Sequence, residues 1–128
     1  FAYFNPVDFS SFNQARANLG NYALGKLIEA FTTKLSEANI DKTRIAIIGA
    51  PIDNGNYKPG KVQAPDLVRE KLYGLAAITG SSNTADFGNL KPSTTLKGTF
   101  LALRDIIEYF NEAGITSIVI GGSQDLTV

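Results

Sequence analysis

Residues 44–50 read Arg44-Ile45-Ala46-Ile47-Ile48-Gly49-Ala50, and no other stretch of the chain restricts its fold as strongly. Ile45 to Ile48 are apolar without a break, where a strand with one wet face would alternate. Such a run suits a strand covered on both faces, the habit of parallel sheets in α/β proteins. Gly49 and Pro51 stop it, and Asp53-Asn54-Gly55-Asn56 follows as a polar loop. In open α/β sheets, ligands collect just beyond the carboxyl ends of such strands. A second run of the same character, Ser117-Ile118-Val119-Ile120-Gly121-Gly122, leads into Ser123-Gln124-Asp125. Two buried strands, each ending in glycine and polar residues, form the expected skeleton.

The 128 residues amount to one domain or part of a larger one. A formal net charge of zero gives no basic stripe, so no nucleic-acid partner is expected. There is no cysteine, which removes disulfides and thiol chemistry. There is also no histidine, the commonest general base and the commonest metal ligand. That absence restricts the chemistry more than anything else in the composition. No apolar run approaches the roughly 18 residues of a membrane span, so no membrane partner is expected. Phe1-Ala2-Tyr3-Phe4-Asn5-Pro6 lacks the basic-then-apolar layout of a signal peptide, and a cytoplasmic location is expected. With no methionine anywhere, the chain is expected to be an excised or processed piece whose coding sequence continues past Val128.

Residues 1–18 carry Phe1, Tyr3, Phe4, Phe9 and Phe12 among Asn, Pro and Ser, and read as an irregular arm. The arm either packs onto the body or serves a partner. Residues 19–128 read as alternating helix and strand. From Leu19 to Ala38, the positions Leu24, Leu27, Ile28, Phe31 and Leu35 make one helical stripe. Pro65 fits the first turn of a second helix, with Leu67, Val68, Leu72 and Leu75 expected inward and Glu70 and Lys71 outward. Thr84 to Leu90 reads as a short strand with its loop. Pro92-Ser93-Thr94 is a plausible helix start, and Leu96, Phe100, Leu103, Ile107 and Phe110 form the stripe that follows. Gly114 is well placed just past its end. Alternating helices and strands predict right-handed crossovers and a parallel sheet, with Arg44–Gly49 central between Thr84–Phe87 and Thr116–Gly121.

Gly55-Asn56-Tyr57-Lys58-Pro59-Gly60-Lys61-Val62 nearly matches the phosphate-cradling G-x-x-x-x-G-K-[S/T] loop. Val62 stands where a hydroxyl must reach Mg²⁺, and Pro59 removes an N–H from the cradle. The helix also starts too late for Lys61 to sit at its N-terminus. A turn shaped by Pro59-Gly60 is the better reading.

Five pieces occur in order: Ile45 to Asp53, Pro59-Gly60, Ala64-Pro65-Asp66-Leu67-Val68-Arg69, Ala85-Asp86-Phe87-Gly88-Asn89, and Ile118 to Gly122. Together they resemble the N-terminal part of the arginase/agmatinase/formimidoylglutamase (ureohydrolase) family. The resemblance implies a three-layer α/β/α sandwich on a parallel sheet. It further implies a paired Mn²⁺ (manganese) centre that hydrolyses a guanidino or formimino carbon–nitrogen bond, a small-molecule amidine or guanidine substrate, and a homo-oligomer. Family members usually carry Gly-Gly-Asp-His-Ser after the last strand here, and its His ligates metal. This chain has Gly121-Gly122-Ser123-Gln124-Asp125, so Gln124 stands in the ligand position and Asp125 is the candidate substitute. An amide oxygen is a weak donor beside imidazole. The remaining family ligands belong to an Asp-x-His-x-Asp stretch and a later Asp-x-Asp stretch that these residues do not contain.

No catalytic residue or metal ligand is therefore assigned within the chain, and the chain alone is expected to bind no Mn²⁺ and to be inactive. Asp53, Asn54, Ser123, Gln124 and Asp125 are the candidates for substrate-side loops. Asp53 and Asn54 equally suit turn formation, since both side chains bond their own backbone. Asp66 and Arg69 read as a structural pair near a helix start, and Asp86 as a fold-stabilising acceptor. For the parent protein two readings stand: a hydrolase of amidine carbon–nitrogen bonds, or a catalytically silent relative that binds a ligand or a protein.

Overall fold

A computed structural model describes residues 3–5, 16–30, 40–52, 64–78 and 83–122. Among them run β1 (Phe4–Asn5), α1 (Leu24–Leu27), β2 (Glu29–Ala30), β3 (Ile45–Ala50), α2 (Ala64–Leu72), β4 (Thr84–Leu90), α3 (Leu96–Glu112) and β5 (Thr116–Gly121). The sheet order is β1–β4–β3–β5, with β2 also on β4. β3 is parallel to both β4 and β5, with Ile45 opposite Thr84 on one side and Thr116 on the other. The most apolar strand is thus central, as its uninterrupted run predicts, and every residue from Ala46 to Ala50 is buried.

Side-chain alternation divides the sheet into two faces. Ala46, Ile48, Ala50, Ala85 and Phe87 meet Leu103, Ile106 and Phe110 of α3 in the main core. The intervening Asp86 points the other way and bonds Arg69 and Tyr73, on and just beyond α2. Helices therefore cover opposite faces, which is the α/β layering expected. The sheet is mixed rather than wholly parallel, because β1 lies antiparallel on β4, pairing Phe4 with Leu90 and Asn5 with Asn89. That pairing corrects the irregular reading for part of the N-terminal arm. Phe4 is buried, with its ring centroid 5.8 Å from that of Phe87, so this part of the arm packs onto the body.

The stripe from Leu19 to Ala38 does not form one helix over the residues described. Only Leu24–Leu27 is α-helical; Ile28 is extended, and Glu29–Ala30 join β4 in parallel. Tertiary contact overrides the periodicity here. The Leu24 and Gly25 amides donate to the carbonyls of Leu75 and Tyr73, and Gly25 lies so close to Tyr73 that an added Cβ would come within 2.7 Å of its Cβ. Phe31 and Leu35 lie outside the described residues.

On α2 the inward face differs from the expected one. Leu67, Val68 and Leu75 are 61%, 45% and 58% exposed, whereas Pro65, Arg69 and Tyr73 are buried and Leu72 is half-buried. Residues 65, 69 and 73 share one helical face, and the sheet offers that face a carboxylate, Asp86. On α3 the stripe is shifted by one position at its middle, with Ile106 buried and Ile107 partly exposed. Its cap is Thr95, whose Oγ1 accepts from the Gly98 amide at 3.1 Å, just beyond the expected Pro92–Thr94 start. At the other end Gly114 has φ 73°, the Ile115 amide donates to Phe110 O at 2.8 Å, and the Gly114 amide donates to Asn111 O at 3.0 Å. That paired bonding is a Schellman motif, and it satisfies carbonyls that the helix end leaves open.

Candidate functional site

Strand register gathers the ends of β3, β4 and β5 at one edge. Gly49 lies opposite Asn89 on β4 and opposite Ile120 on β5, and Ala50 lies opposite Gly121. The chain thus leaves towards Asp53 and towards Ser123 from adjacent positions of neighbouring parallel strands. The candidates Asp53, Asn54, Ser123, Gln124 and Asp125 themselves lie outside the described residues. An open groove of about 1250 Å³, between α3 and the start of β5, is lined by Phe100, Arg104, Ile107 and Thr116 among others. It sits at the amino end of β5, away from this carboxyl edge.

Beneath the edge lies a buried polar cluster centred on Arg69, a side chain with no exposed surface. Its Nε donates to Asp86 Oδ2 at 2.7 Å and its Nη2 to Asp86 Oδ1 at 2.9 Å, a bidentate pair. Nη2 also donates to Gly88 O at 2.8 Å, and Nη1 donates to Asn89 Oδ1 at 2.5 Å and Asp66 Oδ1 at 3.1 Å. Every N–H of the guanidinium is used, as a fully desolvated arginine requires. Asp86, likewise without exposed surface, accepts further from Tyr73 OH at 2.6 Å and the Gly88 amide at 3.0 Å. Asn89 Nδ2 closes the cluster by donating to Asp66 Oδ1 at 3.1 Å. Asp66 pairs with Arg69 as the sequence spacing suggests, and Asp86 is the acceptor expected of it. Tyr73 and Asn89 were not anticipated, although Tyr73 stands one helical turn beyond Arg69.

Burial alone would lower the Arg69 pKa, but the hydrogen bonds and charge of Asp86 outweigh it and raise it. The Tyr73 phenol is also pushed up, first by burial and then by the charge of Asp86 and the bond to it. Unfolded tyrosine titrates near pH 10, whereas the folded phenol keeps its proton above that. The stability this holds is present at and below about pH 10 and is lost as pH rises towards the higher folded value. In denaturant melts, Tyr73→Phe should cost about 1–2 kcal/mol at pH 8 through the lost bond. The gap from wild type should narrow above pH 10. A constant gap between pH 8 and 11 would show that Tyr73 does not carry the alkaline sensitivity.

Among the described residues, no three or more of Asp, Glu, His and Cys are grouped so as to hold a metal ion. The two carboxylates beneath the carboxyl edge, Asp66 and Asp86, both bond the Arg69 guanidinium, a cation that would repel a second one. This donor set does not fit a Mn²⁺ pair. Among the described residues no helix is long and apolar enough to cross a membrane.

Comparison with known proteins agrees with this layout. Residues 43–128 match the model of the arginase family. Formimidoylglutamase from Salmonella paratyphi C is 33% identical over 87 residues, and that from Salmonella typhi 32% identical over the same length; each alignment takes in 64% of this chain. The chain spans 28% of the length of these curated relatives. The crystal structure of agmatine ureohydrolase of Thermoplasma volcanium superposes with a TM-score of 0.61 at 18% identity, covering 90% of this chain and 39% of that one. At that identity the superposition speaks for the fold, and the family match speaks for descent. The match over residues 43–128, about two thirds of the chain and including β3, β4, β5 and the Arg69 cluster, identifies the chain as a member of the arginase family.

Proposed function

We propose that this chain is the N-terminal part of an arginase-like domain in a longer ureohydrolase that hydrolyses an amidine carbon–nitrogen bond. A formimino substrate of the formiminoglutamate type comes first, on the 33% identity to formimidoylglutamase. The observation that carries the reading is the family match over residues 43–128, which takes in β3 and β5, the strands at whose carboxyl ends ligands of open α/β sheets collect. In this reading the chain supplies the sheet edge and the loops from Asp53 and Ser123, and the parent acts as a homo-oligomer. The Mn²⁺ chemistry that the resemblance implies would need donors beyond the described residues.

The test compares the intact protein with the 128-residue chain, each with and without Mn²⁺, on formiminoglutamate, agmatine and arginine. Formamide or urea release by the intact protein alone is the expected result. Release by the 128-residue chain would overturn its assignment as an inactive part. Gln124, in place of the family histidine, favours the silent-relative reading, and binding of an amidine by the intact protein without turnover would establish that one.

A further inference from the structure

Strand β4 contains a feature that the ion pair alone does not require. Ile47 pairs with Asp86, yet Gly49 pairs with Asn89, so β4 carries one residue more than β3 across this step. The extra residue is accommodated at Gly88, whose φ of 83° is open to glycine and strained for other residues. Simple alternation would send Ala85, Phe87 and residue 89 to the α3 face. The bulge resets the alternation: Asn89 joins Asp86 on the α2 face, and Leu90 falls back into the main core. Arg69 holds both ends of the step, through Asp86 before the bulge and through Gly88 O and Asn89 Oδ1 within and after it. The Asp86 carboxylate also binds the Gly88 amide.

The re-aimed Asn89 amide lies across β3. A Cβ at Gly49 would overlap Asn89 Oδ1 outright and stand 3.0 Å from Arg69 Nη1. Only glycine at 49 therefore leaves room for the amide. From there the cluster continues to Asp66 in the first turn of α2, whose side chain is 42% exposed. It thus runs from a wholly buried carboxylate to a half-open one at the carboxyl edge. In doing so it ties the exit of β3 to the start of α2, the two ends of the connection that carries Asp53 and Asn54.

We propose that Asn89 is a positioning residue for the site at the carboxyl edge, swung across Gly49 by a β-bulge that Arg69 pins and fixing where β3 and α2 deliver that connection. The substrate side of this inference rests on the ureohydrolase reading; the geometry does not. Residue 89 acts through backbone placement and touches no reacting atom, so its loss should weaken substrate binding more than turnover.

The experiment uses the intact protein with Asn89→Ala, with Gly49→Ala as an independent way to expel the amide, and with Gly114→Ala as a control. Gly114 has φ 73° at the far end of α3 with open space around it, so alanine there lowers stability without approaching the edge. Hydrogen exchange should quicken about tenfold at residues 49–52 and 64–66 in Asn89→Ala and Gly49→Ala, with residues 103–110 unchanged. KM for the amidine that the protein turns over should rise about fivefold or more, with kcat within about twofold. Gly114→Ala should lower Tm and leave both readouts alone. Exchange rising evenly across the sheet and α3, or KM moving equally in Gly114→Ala, would make Asn89 merely structural and overturn the proposal. An unchanged KM beside a locally loosened edge would also overturn it. If the intact protein turns over no amidine, the ureohydrolase reading fails separately, and the exchange pattern alone decides for or against the positioning role.

Discussion

Arg69→Ala should cost about 3–5 kcal/mol of folding stability, because it strands Asp86 as an unpaired charge where no water reaches it. The guanidinium contributes five hydrogen bonds, to Asp86, Gly88, Asn89 and Asp66, and alanine replaces none of them. Arg69→Lys should recover only part of the loss. An ammonium is a compact charge and cannot span Asp86 in bidentate fashion while reaching Gly88 and Asn89. The double variant Arg69→Leu with Asp86→Leu separates pairing from burial, since replacing both partners by apolar groups is often close to neutral. Urea midpoints at constant m-value measure all three. An Arg69→Ala midpoint within error of wild type would mean that water reaches Asp86 after all.

Phe87→Ala is the second large effect expected, at about 3–5 kcal/mol for a core aromatic. Phe87 is 1% exposed, with ring centroids 4.7 Å from Phe110 and 5.8 Å from Phe4. It is therefore the shared contact of the sheet, α3 and the N-terminal arm. Truncating it should loosen β1 before anything else, because β1 has two residues and Phe4 is its buried anchor. Amide exchange at Lys91, which donates to Tyr3 O at 2.7 Å, reports that loosening directly. Phe87→Leu, which keeps most of the volume, should cost much less. Equal losses from the alanine and leucine variants would point to ring geometry rather than cavity formation.

The legible parts of the fold were those in which burial and periodicity agree. β3 is read correctly because a parallel strand covered on both faces has few polar positions. The same reading places β5 but not its burial: it ends the order of the described strands, and Ile118 is 46% exposed. α3 is legible from its stripe and its Gly114 end, although the cap falls at Thr95 and the stripe shifts to Ile106. α2 was misread for the converse reason. A hydrophobic stripe reports apolar burial, and the buried face of α2 carries Arg69 and Tyr73, whose partner Asp86 lies 17 residues beyond Arg69. Nothing local marks an arginine as interior; only the partner does. The segment after Leu19 failed because Glu29–Ala30 add to an edge of β4 that the residues around them do not announce. At the site, the strand ends were readable and the bulge was not. A glycine beside an asparagine in a strand, here Gly88-Asn89, fits a turn, a close approach or a bulge equally well.

The central place of β3 also sets an order of events during synthesis. Its partner β4 emerges about forty residues after it, and β5 about seventy. At roughly 5–20 residues per second, the most apolar strand in the chain spends several seconds with one side unpaired before β5 can close it. Parallel pairing allows no shortcut, since each crossover must be completed first. Through that interval the nascent chain presents Ile47 and Ile48 with an open strand edge, so its yield in a cell depends on what shields that edge on the ribosome as much as on the stability of the finished sheet.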